Sequence, residues 1–239
     1  MARAPENTLG AFAAAYADGG DGVELDTQLS KDDVPIVLHD DTLDRTSVLH
    51  GSPRAFLASE LDRADVGTWF THADVPAPRE KVPRLDEVLK AAPDGAVVNV
   101  ELKGPTPFGA PLERQVLAVI AQHVPRLHVI VSSFQPGQLA VVRRLWPELP
   151  VGLLVEPETL TALRSGWPAA ALRPDALHPP SALVNAALVA AVHARGMRLN
   201  VWGVADDADA RRLCALGADA LIVNDVKSGV AARTAASSR

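Results

Sequence analysis

Residues 128–145 read HVIVSSFQPGQLAVVRRL. A β-branched run is closed by Gln-Pro and followed by apolar residues at helical spacing, so the segment predicts a strand and then a helix. The same alternation extends outward in both directions. Further strand-like runs are GVELDTQ (22–28), VPIVLHD (34–40), AVVNVELK (96–103), VGLLVE (151–156), DALHP (175–179), LNVWGV (199–204) and ALIVND (220–225). Helical spacing occupies residues 6–18, 84–92, 111–123, 136–146, 158–165, 181–195 and 206–216. Strands alternating with helices, without a hairpin signal between them, predict a parallel sheet.

No Gly/Ser-rich linker divides the chain, so residues 1–239 are expected to form one domain. If VPIVLHD extends the GVELDTQ unit, seven core strands remain. A closed (β/α)8 TIM-type barrel needs eight in about 250 residues. The shortfall falls ahead of Pro5-Glu6-Asn7-Thr8, which reads as a helix start: Pro5 suits a first turn, and Asn7 or Thr8 can cap. Residues 41–84 depart from the pattern. They hold Pro53, Pro76, Pro78 and Pro83 with few periodic apolar positions, and predict a long loop excursion at the mouth of the active site.

Bulk properties exclude several classes. Net charge is −6 with scattered Lys and Arg, and only 4% of residues are aromatic, which argues against a nucleic-acid surface. The one cysteine rules out internal disulfides and cysteine-rich zinc sites. Cys214 lies in the apolar stretch ARRLCALG and reads as a small core residue. No apolar run reaches the roughly 18 residues of a membrane span.

In such a barrel, chemistry gathers where strands end. Glu24 and Asp26 are two apart and so share one strand face, as do Glu101 and Lys103. His39 and Asp40 close VPIVLHD, and Ser133, His178 and Trp202 close later strands. Three converging carboxylates would repel unless a cation sat among them, and an all-oxygen cluster suits Mg²⁺ or Ca²⁺. Lys103 is the competing neutralising charge. A divalent cation, a lysine and a histidine facing one pocket point to chemistry on an anionic phosphoryl group, with His39 shuttling a proton. Ser133 lacks the His and Asp partners of a serine nucleophile. His50, His72, His123, His128 and His193 read as solvated or capping residues, whereas His178 sits where it could reach a pocket.

These residues resemble the glycerophosphodiester phosphodiesterase family, a TIM-barrel group. The matching segments are PENTLGAF, VELDTQLSKDDVPIVLHDDTLDRTS, GTWF, VPRLDEVL, NVELKG, SSF and LNVWGVADDADARRLCALGADALIVND, in order along the chain. The resemblance implies that Glu24, Asp26 and Glu101 bind one divalent cation and that His39 is one of two acid/base histidines. It implies that Lys103 lies near the phosphate and that Trp202 lines the substrate pocket. The expected reaction is hydrolysis of glycerophosphodiesters to glycerol 3-phosphate and an alcohol, with a small-molecule substrate, no nucleic acid and no stable membrane insertion. Homo-oligomerisation stays open, and the expected compartment is the cytoplasm unless a signal precedes Met1.

The family carries a His-Arg-Gly motif ending its first strand, just ahead of PENT, and Met1-Ala2-Arg3-Ala4 stands where that loop should end. We therefore expect the first strand and first acid/base histidine to be missing from this chain, through a start recorded downstream of the true one. The alternative is a short form that is catalytically impaired or only binds ligand. Smaller departures are Gly203, Val223 and Val226, where the family commonly has Thr, Thr and Pro.

Overall fold

The computed structural model describes residues 3–72, 75–104, 110–156 and 172–237. Two compact units divide the chain, Met1–Val129 and Ile130–Arg239.

In the first unit, helix α1 (Leu9–Ala17) is capped by Thr8, whose hydroxyl accepts from the Ala11 amide at 3.1 Å. The same hydroxyl donates to Pro5 O at 2.8 Å. Of the two caps the sequence offers, Thr8 is the one used; Asn7 stands ahead of it with a φ of +55°. Strand β1 (Gly22–Leu29) follows and turns back into β2 (Pro35–Val37), antiparallel, with Thr27 opposite Val37. The expected all-parallel sheet is corrected here. No Asn-Gly or Asp-Gly marks this hairpin; Asp33 takes the left-handed conformation at φ +58° instead. Ser30 closes the turn, its amide donating to Val34 O at 3.0 Å and its hydroxyl accepting from the Val34 amide at 3.0 Å.

Residues 41–84 hold a 3-10 turn (Pro53–Ala55), helix α2 (Ala58–Leu61) and the short antiparallel pair β3 (Thr71–His72) and β4 (Val75–Pro76). Leu43, Leu61, Ala64, Val66 and Val82 bury against Ile36 and Leu38 in a local apolar cluster. The sequence period is hidden there because the apolar residues are gathered by turns rather than by one helix or strand. Helix α3 (Leu85–Ala91) packs on β2 and α1. Strand β5 (Val97–Leu102) then lies parallel to β1, with Glu24 beside Asn99 and Asp26 beside Glu101. A methyl group on Gly22 would sit 2.1 Å from Val97 O, so this pairing begins on a glycine because the strands approach too closely for a side chain. Helix α4 (Ala110–Ile120) packs against α3, β1 and β2.

The second unit is a parallel ladder. Strands β6 (His128–Ser133, in this unit from Ile130), β7 (Val151–Leu154), β8 (Ala176–His178), β9 (Arg198–Val201) and β10 (Ala220–Leu221) pair in that order. Helices α5 (Pro136–Leu145), α6 (Ala186–His193), α7 (Asp207–Leu216) and α8 (Val226–Ser237) intervene or follow. Asp206 caps α7 by accepting from the Asp209 amide at 2.8 Å, and Gly217 ends it at φ +94°. The sequence did not single out α8, and the helix expected over 158–165 lies outside the described residues.

Candidate active site

The β1–β5 register turns a two-residue spacing into a site. Because side chains alternate, Glu24 and Asp26 share one face of β1, and Asn99 and Glu101 share the matching face of β5. Oxygens of Glu24, Asp26 and Glu101 lie within 4.8 Å of one another. Lys103, one step past β5, places its ammonium 3.3 Å from Asp26 Oδ1 and 3.5 Å from Glu101 Oε1. The sequence expected these four residues together, and the structure brings them together.

Their electrostatics follow from crowding. Burial, then the charges of Asp26 and Glu101, push the Glu24 carboxyl well above its ordinary pKa. Burial, then Asp26, raise Glu101 to about 7, against the opposing pull of Lys103. Burial also works against the Lys103 ammonium, but Asp26 and Glu101 outweigh it and hold its pKa above the usual lysine value. One lysine cannot neutralise three carboxylates. An all-oxygen set of this charge and spacing fits a hard divalent cation. Asn99 adds to the fit: it is 7% exposed on the same face as Glu24, and its amide has no hydrogen-bond partner among the described residues.

His39 follows β2 and stays half-exposed, with Nδ1 2.6 Å from Asp40 Oδ1. Arg45 holds Asp40 from the other side, its Nε donating to Oδ2 at 2.6 Å and Nη2 to Oδ1 at 3.0 Å. Those Arg45 bonds, with His39 as a lesser contributor, lower the Asp40 pKa to about 2. With Nδ1 engaged by a fixed carboxylate, Nε2 is the ring atom free to exchange a proton. Arg45 also reaches the Glu6 carboxylate through Nη1, at 3.2 Å, and Nη2, and lies 5.5 Å from the centre of the Trp69 ring. Asn7 donates to Asp26 Oδ2 at 2.8 Å and accepts from the Asp26 amide at 3.2 Å. A cleft of ≈ 10 Å³, lined by Glu6, Asn7 and His39 among others, is the size of one water.

Trp202 belongs to the second unit, where its Nε1 donates to His178 O at 2.9 Å and its ring meets Phe134 edge-on at 6.0 Å. His178 is an interior residue rather than a pocket-lining one. It is fully buried, Nε2 faces Asn200 Nδ2 at 2.9 Å, and burial lowers its pKa to about 4. Ser133 donates to Gln138 Oε1 at 2.7 Å. His123, expected at the surface, is 7% exposed and paired with Asp86 at 2.9 Å, and Cys214 is half-buried rather than core. Sequence reasoning read Asn7 only as a possible helix cap, not as a partner of Asp26, and did not single out Arg45. Each acts on a partner far along the chain, and no periodicity reports such a pairing.

The sequence pattern of the glycerophosphoryl diester phosphodiesterase family matches residues 1–228. A glycerophosphodiester phosphodiesterase of Caldanaerobacter subterraneus subsp. tengcongensis is 34% identical over 92% of this chain and 89% of its own. An Oleispira antarctica phosphodiesterase, solved with the product sn-glycerol-3-phosphate, superposes with a TM-score of 0.80 at 26% identity, covering 99% of this chain and 93% of the other. A glycerophosphodiester phosphodiesterase from Agrobacterium tumefaciens gives 0.76 at 27% identity, over 97% and 94%. The fold is the α/β TIM-type fold of these structures, and the chain belongs to the glycerophosphoryl diester phosphodiesterase family.

Proposed function

We propose that this chain hydrolyses glycerophosphodiesters to glycerol 3-phosphate and an alcohol, with one divalent cation, Mg²⁺ or Ca²⁺, held by Glu24, Asp26 and Glu101. The observation that carries the reading is the convergence of those three carboxylates, within 4.8 Å, on one face of the β1–β5 pair beside Lys103. A cation bound there would supply Lewis-acid polarisation of a phosphoryl oxygen. Lys103 offsets charge on the phosphoryl oxygens from a position already fixed by two carboxylates. His39 exchanges its proton at Nε2 with the departing alkoxide, while Asp40 keeps the ring oriented. Trp202 is proposed as a substrate-contacting residue on the family resemblance.

The test is release of glycerol 3-phosphate from glycerophosphocholine by the purified chain, with and without chelator. Chelator-sensitive release that falls at least 100-fold in Glu24→Ala supports the reading. A protein that takes up the cation yet releases nothing is a non-catalytic ligand-binding relative, and the proposed activity is then wrong.

A further inference from the structure

Glu6 and Asn7 are neighbours in sequence, yet their side chains serve different parts of the site. The left-handed backbone at Asn7, φ +55°, is a conformation that asparagine tolerates better than most residues, and it turns the chain between the two. Asn7 takes both sides of Asp26: its Nδ2 donates to Oδ2 at 2.8 Å, and its Oδ1 accepts from the Asp26 amide at 3.2 Å. An amide side chain carries a donor and an acceptor on separate atoms, so Asn7 gives to the carboxylate and accepts from the backbone N–H at once. Asp26 Oδ1 meanwhile faces Lys103 at 3.3 Å, so that carboxylate is held from two directions. Glu6 reaches the other way. It receives Arg45, whose guanidinium also forks onto Asp40 at 2.6 and 3.0 Å, and Asp40 holds His39 Nδ1 at 2.6 Å. Glu6, His39 and Asp40 are spaced as cation ligands could be, but the Arg45 guanidinium already occupies both carboxylates. Thr8, the next residue, anchors the segment by capping α1.

We propose that Glu6-Asn7 is a two-armed positioning element. One arm, Asn7, sets the carboxylate of Asp26; the other, Glu6 through Arg45 and Asp40, sets the ring of His39. The turn at Asn7 fixes the two arms relative to each other. The inference rests on the proposed cation site and adds to it the residues that orient its parts.

The arms are separable by experiment. Isothermal titration with Mg²⁺, and separately with Ca²⁺, reads the first; kcat on glycerophosphocholine at saturating cation reads the second. Asn7→Gly keeps the backbone conformation and removes the amide, and should weaken cation affinity about 10–100-fold, as loss of a ligand-orienting partner does. Arg45→Lys and Glu6→Gln should leave that affinity within twofold and lower kcat at least tenfold, because a lysine cannot fork onto two carboxylates. The Glu6→Gln/Arg45→Lys double variant should lose no more than the worse single, since both act through one chain of contacts. Asn7→Gly binding as tightly as wild type, or Glu6 and Arg45 losses that multiply as independent effects, would overturn the proposal while leaving the cation site standing. A wild-type protein that takes up neither ion overturns the cation site and the positioning element with it.

Discussion

At the scale of single residues, burial decides protonation. His178 is enclosed, with Asn200 facing Nε2, and its Nδ1 has no hydrogen-bond partner among the described residues. Folded, it takes a proton only near pH 4, against 6.5 for the free side chain. Between those values the unfolded state binds more protons, so stability is whole above the unfolded pKa and is lost as pH falls toward the folded one. The loss from this group amounts to ~3 kcal/mol. Urea denaturation from pH 7 to pH 4 should show that acid limb in the wild type and a shallower one in His178→Gln, which keeps an oxygen facing Asn200. Equal slopes would remove His178 from the acid response. That burial was not legible: a histidine at a strand end reads alike whether it faces a pocket or the interior. Glu24, Asp26, Glu101 and Lys103 were legible because a two-residue spacing on a strand fixes a shared face whatever packs around it.

At the scale of elements, the β1–β2 hairpin shows how a turn can hide. The turn Ser30–Val34 runs Lys-Asp-Asp between its ends, and its left-handed position is filled by Asp33 rather than glycine. A Cβ in that conformation costs about 1–2 kcal/mol, which Asp tolerates better than most residues. Asp33 also meets Arg54 at 2.7 Å, but both side chains are exposed and such a pair contributes little. Asp33→Ala should therefore destabilise by about 1 kcal/mol, while Asp33→Gly, which loses the same ion pair but relieves the backbone, should stay near wild type. Equal losses in both variants, read from urea midpoints, would mean that the ion pair and not the turn carries the effect. The hairpin has a functional consequence, because it delivers His39 at the end of β2 back toward the strand that bears Glu24 and Asp26: the Leu38 amide donates to Asp26 O at 3.0 Å. Read as an extension of the preceding unit, VPIVLHD had the correct place but the wrong direction.

At the scale of the whole molecule, alternation of strand and helix was readable along nearly all of the described chain, since each element carries its own period. Residues 41–84 were not readable as packed structure, because their apolar residues meet only after several turns. The described helices include none long and apolar enough to cross a membrane. What the fold concentrates is charge: three carboxylates within 4.8 Å and one lysine beside them. Without a cation this is a destabilising arrangement. Glu24 is raised well above its ordinary pKa and Glu101 to about 7, so their protonated forms favour the folded state, and that stability is lost as pH rises through the folded values. In chelator at pH 8, Glu24→Gln should therefore unfold above the wild type, by roughly 1 kcal/mol, because a neutral amide replaces a carboxyl group whose ionised form burial and its neighbours disfavour. With Mg²⁺ at a hundred times its dissociation constant the wild type should gain about 2.7 kcal/mol and overtake the variant, which lacks a ligand and gains less. The two melting curves thus cross as cation is added. If Glu24→Gln melts below the wild type in chelator, the carboxylates are held by partners that outweigh their repulsion; if neither protein responds to Mg²⁺, the cluster is a feature of the fold and not a cation site.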